Sequence, residues 1–185
     1  MEVLFHLVFI IIKVAILSCL YGLLFLLIIR LIKKRLNLSS IKTWMILSAS
    51  SFVLLFVFMN TYWGNHGLGD GPKIPIGNGI IVDNINWTEY GYIKGLKTND
   101  NIDIEMTQFK VIDDKLIGNL NSSFYDFENS FFVYDLDTKK LIEFKTKNEF
   151  DDYLVKNELG TSSDLLTFRE NYNNHWNGWR FWLLA

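Results

Sequence analysis

Outside its two most apolar stretches the chain carries two histidines, His66 and His175, and no cysteine; the single cysteine, Cys19, lies within the first of those stretches. Metal sites gather His, Cys, Asp or Glu at recognisable spacings. The closest approach to one is His66 with Asp70, four residues apart in a glycine-rich loop that does not set them on one helix face. Asp135 and Asp137 offer oxygen ligands for Ca²⁺ in a turn, without the glycine and bidentate Glu of a full calcium loop. Ser122, Ser123, Ser130, Ser162 and Ser163 have the identity of nucleophiles but not the strand-elbow-helix setting that activates one. The acid pairs Asp113/Asp114 and Asp151/Asp152 read as a turn and a solvated helix surface. The residues thus define no catalytic set, no metal site and no cofactor. The alternative is an envelope hydrolase using His66, Asp70 or His175 near the glycine-rich loop.

The residues best suited to recognition are Trp176, Trp179, Arg180 and Trp182, since Trp and Arg dominate binding hot spots. The first reading of the three tryptophans is packing into the domain core, with a membrane-interface seat or a partner surface as alternatives; as a candidate partner-binding site the four residues are taken together. Asn86-Trp-Thr88 and Asn121-Ser-Ser123 match glycosylation acceptors, which act only in a eukaryotic secretory pathway.

These residues must be positioned by two contrasting parts of the chain. Residues 1–63 hold six basic side chains and one acid, Glu2, whereas residues 64–185 hold twelve basic against nineteen acidic side chains, a balance of −7. Residues 3–29 and 43–63 are apolar runs, each long enough to cross a hydrocarbon core that takes about 20 helical residues. Between them lies a basic loop, 30–42, with Arg30, Lys33, Lys34, Arg35 and Lys42. Short loops rich in Lys and Arg stay in the cytoplasm, so these five residues are read as setting the topology. The N-terminus and everything after residue 63 are then expected outside the cytoplasm, in a bacterial envelope. The basic start expected of a signal peptide is missing, and the apolar residues after Cys19 argue against lipidation there.

Lys13 is the one charge inside the first run, about one turn from its outer boundary. It is expected to snorkel to the headgroups or to bond Asn60 and Thr61 at similar depth; a transport role is the lesser reading. Trp44, Tyr62 and Trp63 are placed as interfacial aromatics. Ser48, Ala49, Ser50 and Ser51 form a small-residue patch suited to close helix packing or to homo-oligomer formation through the membrane helices.

Residues 64–79 contain six of the twelve glycines and both prolines, and are read as a juxtamembrane linker. Residues 80–185 are read as a domain of α+β class. Short strands are expected at 80–82, 90–93, 102–106, 109–112, 116–120, 130–134 and 140–144. A helix capped by Thr146 and Glu149 and ended by Gly160 follows, then a second helix from Ser162 or Ser163. A helical hairpin followed by an antiparallel sheet with two C-terminal helices is the expected architecture. The acidic balance excludes nucleic acid as a partner. The expected partners are the lipid bilayer and a protein of the envelope, met by an anchored, non-enzymatic, accessory or immunity-type protein.

Overall fold

The computed structural model describes residues 2–32, 40–99, 101–121 and 129–184. The chain divides into two compact units: residues 1–69 together with 177–185, and residues 70–176.

The first unit is built on two helices, α1 (Glu2–Ile32) and α2 (Ser40–Phe58). Both are long and apolar enough to cross a membrane, and only 28% and 6% of their most apolar windows is buried, against the mostly buried core helix of a soluble protein. Phe5, Leu23, Leu24, Leu27, Leu54 and Val57 are all exposed, an arrangement costly in water and neutral among acyl chains. The helices run antiparallel, as the pairing of Gly22 with Ser48 and of Ile10 and Val14 with Met59 requires. A Cβ on Gly22 would lie 2.1 Å from Ser48 Oγ and 2.9 Å from its backbone nitrogen. Glycine against serine is what lets the two backbones approach so closely. Trp44, expected at an interface, sends its indole N–H to the Cys19 carbonyl of α1 at 3.2 Å.

Residues 59–63, expected inside the second run, form turns instead. Asn60 Nδ2 donates to Phe56 O and Thr61 Oγ1 to Phe58 O, satisfying carbonyls that the end of α2 leaves open. Strand β1 (Gly67–Leu68) and the short helix α5 (Trp179–Leu183) complete this unit.

The second unit is an antiparallel sheet in strand order β2 to β8: β2 (Gly71–Gly77), β3 (Ile80–Asp83), β4 (Gly91–Lys97), β5 (Asp103–Ile112), β6 (Lys115–Leu120), β7 (Phe131–Asp135) and β8 (Leu141–Phe144). The linker reading of 64–79 is therefore corrected over 71–77. Pro72 and Pro75 suggested a spacer, but proline is tolerated where a strand does not need its N–H. Here Lys73 faces Asp83, Ile74 faces Val82, and Ile74 is buried. The two stretches expected at 102–106 and 109–112 are one strand, β5, whose register shifts between Met106 and Gln108. Asn119 Oδ1 accepts the Gln108 N–H at 2.7 Å and the Thr107 hydroxyl at 2.8 Å there.

Side-chain alternation sends Leu116, Phe132 and Tyr134 to one face and Ile117 and Val133 to the other. The first face joins Ile74, Val82, Ile104, Met106 and Phe109 and is closed by Phe168 of α4 (Phe168–Trp176). The second is covered by Phe150 and Leu154 of α3 (Lys147–Lys156). The Thr146/Glu149 capping box is present in full, although the helix ends at Lys156, before Gly160.

The helix expected from Ser162 is only a 3-10 turn, Ser162–Asp164. Leu165 is buried under α3's face of the sheet, and β9 (Leu166–Thr167) pairs with β5 opposite Gln108 and Phe109. Extended backbone there postpones α4 to Phe168, where Thr167 and Glu170 form a second reciprocal cap. The described residues after residue 145 thus hold three α-helices, α3, α4 and α5, in place of two.

Candidate functional site

The clearest candidate surface of the sheet unit is the β3–β4 loop, residues 84–90, and the groove beside it. Asn84 follows β3 directly, with its side chain buried. Its amide Nδ2 donates to the carbonyls of Thr88 (2.8 Å) and Tyr90, drawing the loop closed. The Asn86 N–H donates to Asp70 O at 2.7 Å. Asn86 (φ 57°) and Trp87 (φ 54°) both take left-handed backbone, a conformation a bulky residue adopts only where surrounding bonds impose it. The result is a hydrogen-bonded loop that presents Ile85 at 56% exposure and Trp87 at 37%. Trp87 is held edge-on to Tyr172 of α4 with ring centroids 5.0 Å apart. Burial pushes the Tyr172 phenol up to about 12, so that ring stays neutral and serves as a wall.

Beside the loop runs a groove of about 460 Å³ lined by Asp70, Lys73, Asp83, Asn84, Tyr92 and Lys94, among others. Lys73 and Asp83 pair across β2 and β3 at 3.5 Å. Burial, and then the Asp83 charge, push the Tyr92 phenol up. A groove of paired charges, a phenol and an amide, edged by two exposed apolar side chains, can hold a polypeptide by its polar backbone and one or two apolar anchors.

The four residues expected as one recognition surface are divided. Trp176 belongs to the sheet unit and is buried, its indole N–H donating to Lys73 O at 2.7 Å. It is core, and its removal from the proposed surface is a correction. The reason is helical spacing: Phe168, Tyr172 and Trp176 share one face of α4, and that face packs on the sheet. Trp179, Arg180 and Trp182 belong to the hairpin unit, where Trp179 and Trp182 are 60% and 71% exposed and Arg180 Cζ stands 5.2 Å from the centre of the Trp179 ring. Of the topology residues, Arg30 and Lys42 are exposed on α1 and α2, and Lys33, Lys34 and Arg35 fall outside the described residues.

The candidate catalytic side chains have local duties. His66 stacks on His6 of α1, centroids 5.6 Å apart, and His6 Nδ1 accepts the Gly69 N–H at 2.7 Å. Burial, with the nearby His6 and Lys13, lowers His66 to about 4. His175 lies edge-on to Trp176. Asp151 accepts from the Ser162 N–H and hydroxyl, and Ser163 bonds Thr161. Asp135 accepts the Asp137 N–H, and its bonds to Lys115 at 2.8 Å and to Thr138 hold its carboxyl well below the usual carboxylate range. Ser122 and Ser123 lie outside the described residues. Among the described residues no three His, Cys, Asp or Glu side chains gather as a metal cluster. Lys13 does not turn to Asn60 and Thr61, which bond their own helix; its Nζ sits 4.8 Å from the centre of the Phe181 ring.

Sequence reasoning passed over Ile85 and Trp87. Their signal was available, as two large apolar residues among Asn and Asp in a stretch with no strand or helix period. No protein-family model, no curated protein and no solved structure matches the chain.

Proposed function

We propose that this chain is a membrane-anchored, non-enzymatic protein whose helical hairpin displays the acidic sheet unit outside the cytoplasm to bind a protein partner. The pinned β3–β4 loop carries the reading. Asn86 and Trp87 are held in left-handed backbone, which costs stability, and the loop so held leaves Ile85 exposed and Trp87 partly so. Apolar side chains on a preorganised loop lose little entropy on binding, which is where interface affinity comes from. The mixed charges of the neighbouring groove favour a polypeptide over a lipid or a nucleic acid. Anchoring is supported by the two apolar, outward-exposed helices, and the outside location of the sheet by the basic loop at 30–42. An accessory subunit or an immunity-type protein of a bacterial envelope fits this description.

The test is crosslinking through amines in native membranes, with Lys73 and Lys94 at the groove as reporters. A heterologous protein joined to either lysine, with its yield falling about tenfold or more in Ile85→Glu, is the expected result. Ile85 is exposed, so this change leaves folding intact. Crosslinks only between copies of the chain, or a partner yield indifferent to Ile85→Glu, would overturn the reading.

A further inference from the structure

The hairpin unit contains a second feature that partner display does not use. Helix α5 lies along α1: Tyr21 donates its hydroxyl to the Leu183 carbonyl at 2.6 Å, and Lys13 approaches the Phe181 ring. The two contacts are eight residues apart on α1, about 12 Å of helix. Beside them is a groove of about 350 Å³, lined by α1 from Phe9 to Leu20 and by Phe181 and Trp182 of α5, with Lys13 at one side. Its lining is apolar except for that ammonium group.

The charge of the hairpin unit is unbalanced. Residues 1–69 and 177–185 contain one acidic side chain, Glu2, against Lys13, Arg30, Lys33, Lys34, Arg35, Lys42 and Arg180. Glu2 is eleven residues from Lys13, about 16 Å along α1. An ammonium group in low dielectric demands a counter-charge, and the face of Phe181 supplies only a partial one. We infer that the groove between α1 and α5 binds one anionic phospholipid, its acyl chain lying against Ile12, Ile16, Leu20 and Trp182 and its phosphate against Lys13. The inference rests on the hairpin being in a bilayer. The ligand class follows from the site: an apolar trough asks for a hydrocarbon chain, and a cation at its side asks for an anion on the same molecule. The Tyr21 hydroxyl fits this setting, because a carbonyl at the end of α5 needs a donor where water is scarce.

The full chain is reconstituted in phosphatidylcholine vesicles containing a minor fraction of dibrominated lipid, either phosphatidylglycerol or phosphatidylcholine. Fluorescence quenching is then read as the difference between the wild-type chain and Trp182→Phe, which isolates Trp182. Brominated phosphatidylglycerol should quench Trp182 at about one-fifth the concentration that brominated phosphatidylcholine requires, the preference one basic residue confers near an anionic headgroup. Lys13→Leu should abolish the preference and Lys13→Arg should keep it. Equal quenching by both lipids in the wild-type chain would overturn the site and leave the membrane reading standing. No quenching of Trp182 by either lipid would overturn the site and the bilayer placement of α5 together. Partner crosslinking at Lys73 and Lys94 is independent of either outcome.

Discussion

At the scale of single residues, the structure assigns bonds to side chains that had looked like chemistry. Asp151 holds Ser162, Asp135 holds Lys115 and its own turn, and His66 is stacked on His6. His66 also makes a measurable prediction. Its value falls from 6.5 to about 4 in the folded chain, chiefly by burial. The unfolded chain therefore binds the extra proton between those limits, and folding stability rises with pH through that window. The contribution is fully present above about pH 6.5 and is lost as the pH falls toward 4. The ring proton resonance of His66 should titrate with a midpoint near 4; a midpoint near the ordinary histidine value would mean the ring is solvated. His66→Phe should flatten the dependence of stability on pH over the same interval.

At the scale of elements, capping and close packing decide where helices stop and how they pair. Thr146/Glu149 and Thr167/Glu170 each tie a helix start reciprocally, and both pairs have the three-residue spacing legible in the sequence. Thr161 and Asp164 repeat the spacing, yet only a 3-10 turn follows, because Leu165 and Leu166 are claimed by α3's core cluster and by the β5 edge. The hairpin is tested at Gly22. An alanine there would drive its Cβ into Ser48 side chain and backbone, so Gly22→Ala should destabilise the paired helices by roughly 1–3 kcal/mol. Denaturant titration in micelles reads this, with Ala15→Leu, on the exposed side of the same helix, as a change that should cost nothing comparable. Equal effects of the two substitutions would mean that the Gly22–Ser48 approach does not support the pair.

At the scale of the whole molecule, the asymmetry of charge and hydropathy carries the proposed topology. In a Cys19→Ser background, Thr138→Cys lies in the exposed turn between β7 and β8 and should react with a membrane-impermeant maleimide in intact cells. Lys34→Cys, in the basic loop, should react only after permeabilisation. The reverse pattern would place the sheet unit in the cytoplasm and remove an envelope partner.

The strands from β3 to β8 were legible because β-branched and aromatic residues alternate between turn-forming Asn, Asp and Gly, and the turn at Asp113 and Asp114 (φ 46° and 59°) sits where those acids indicated. Strand β2 was hidden by its two prolines, whose meaning depends on whether a neighbouring strand needs their N–H. The partition of the C-terminal aromatics was hidden for a similar reason. Tryptophan suits a core, a bilayer and an interface alike, and spacing alone does not choose among them. Composition and local periodicity by themselves determined two apolar spans, a mixed helix and antiparallel-sheet architecture, and the Thr146 cap, since each follows from interactions within a few residues of chain. Only the tertiary structure decided that Trp176 is core, that Lys13 faces Phe181, and that Asn84 pins a loop exposing Ile85 and Trp87. Lys13 and Phe181 are 168 residues apart in the chain, and the Trp176 indole finds its acceptor 103 residues away. Contacts at such separations are selected by the packing of whole elements, and no local pattern encodes them.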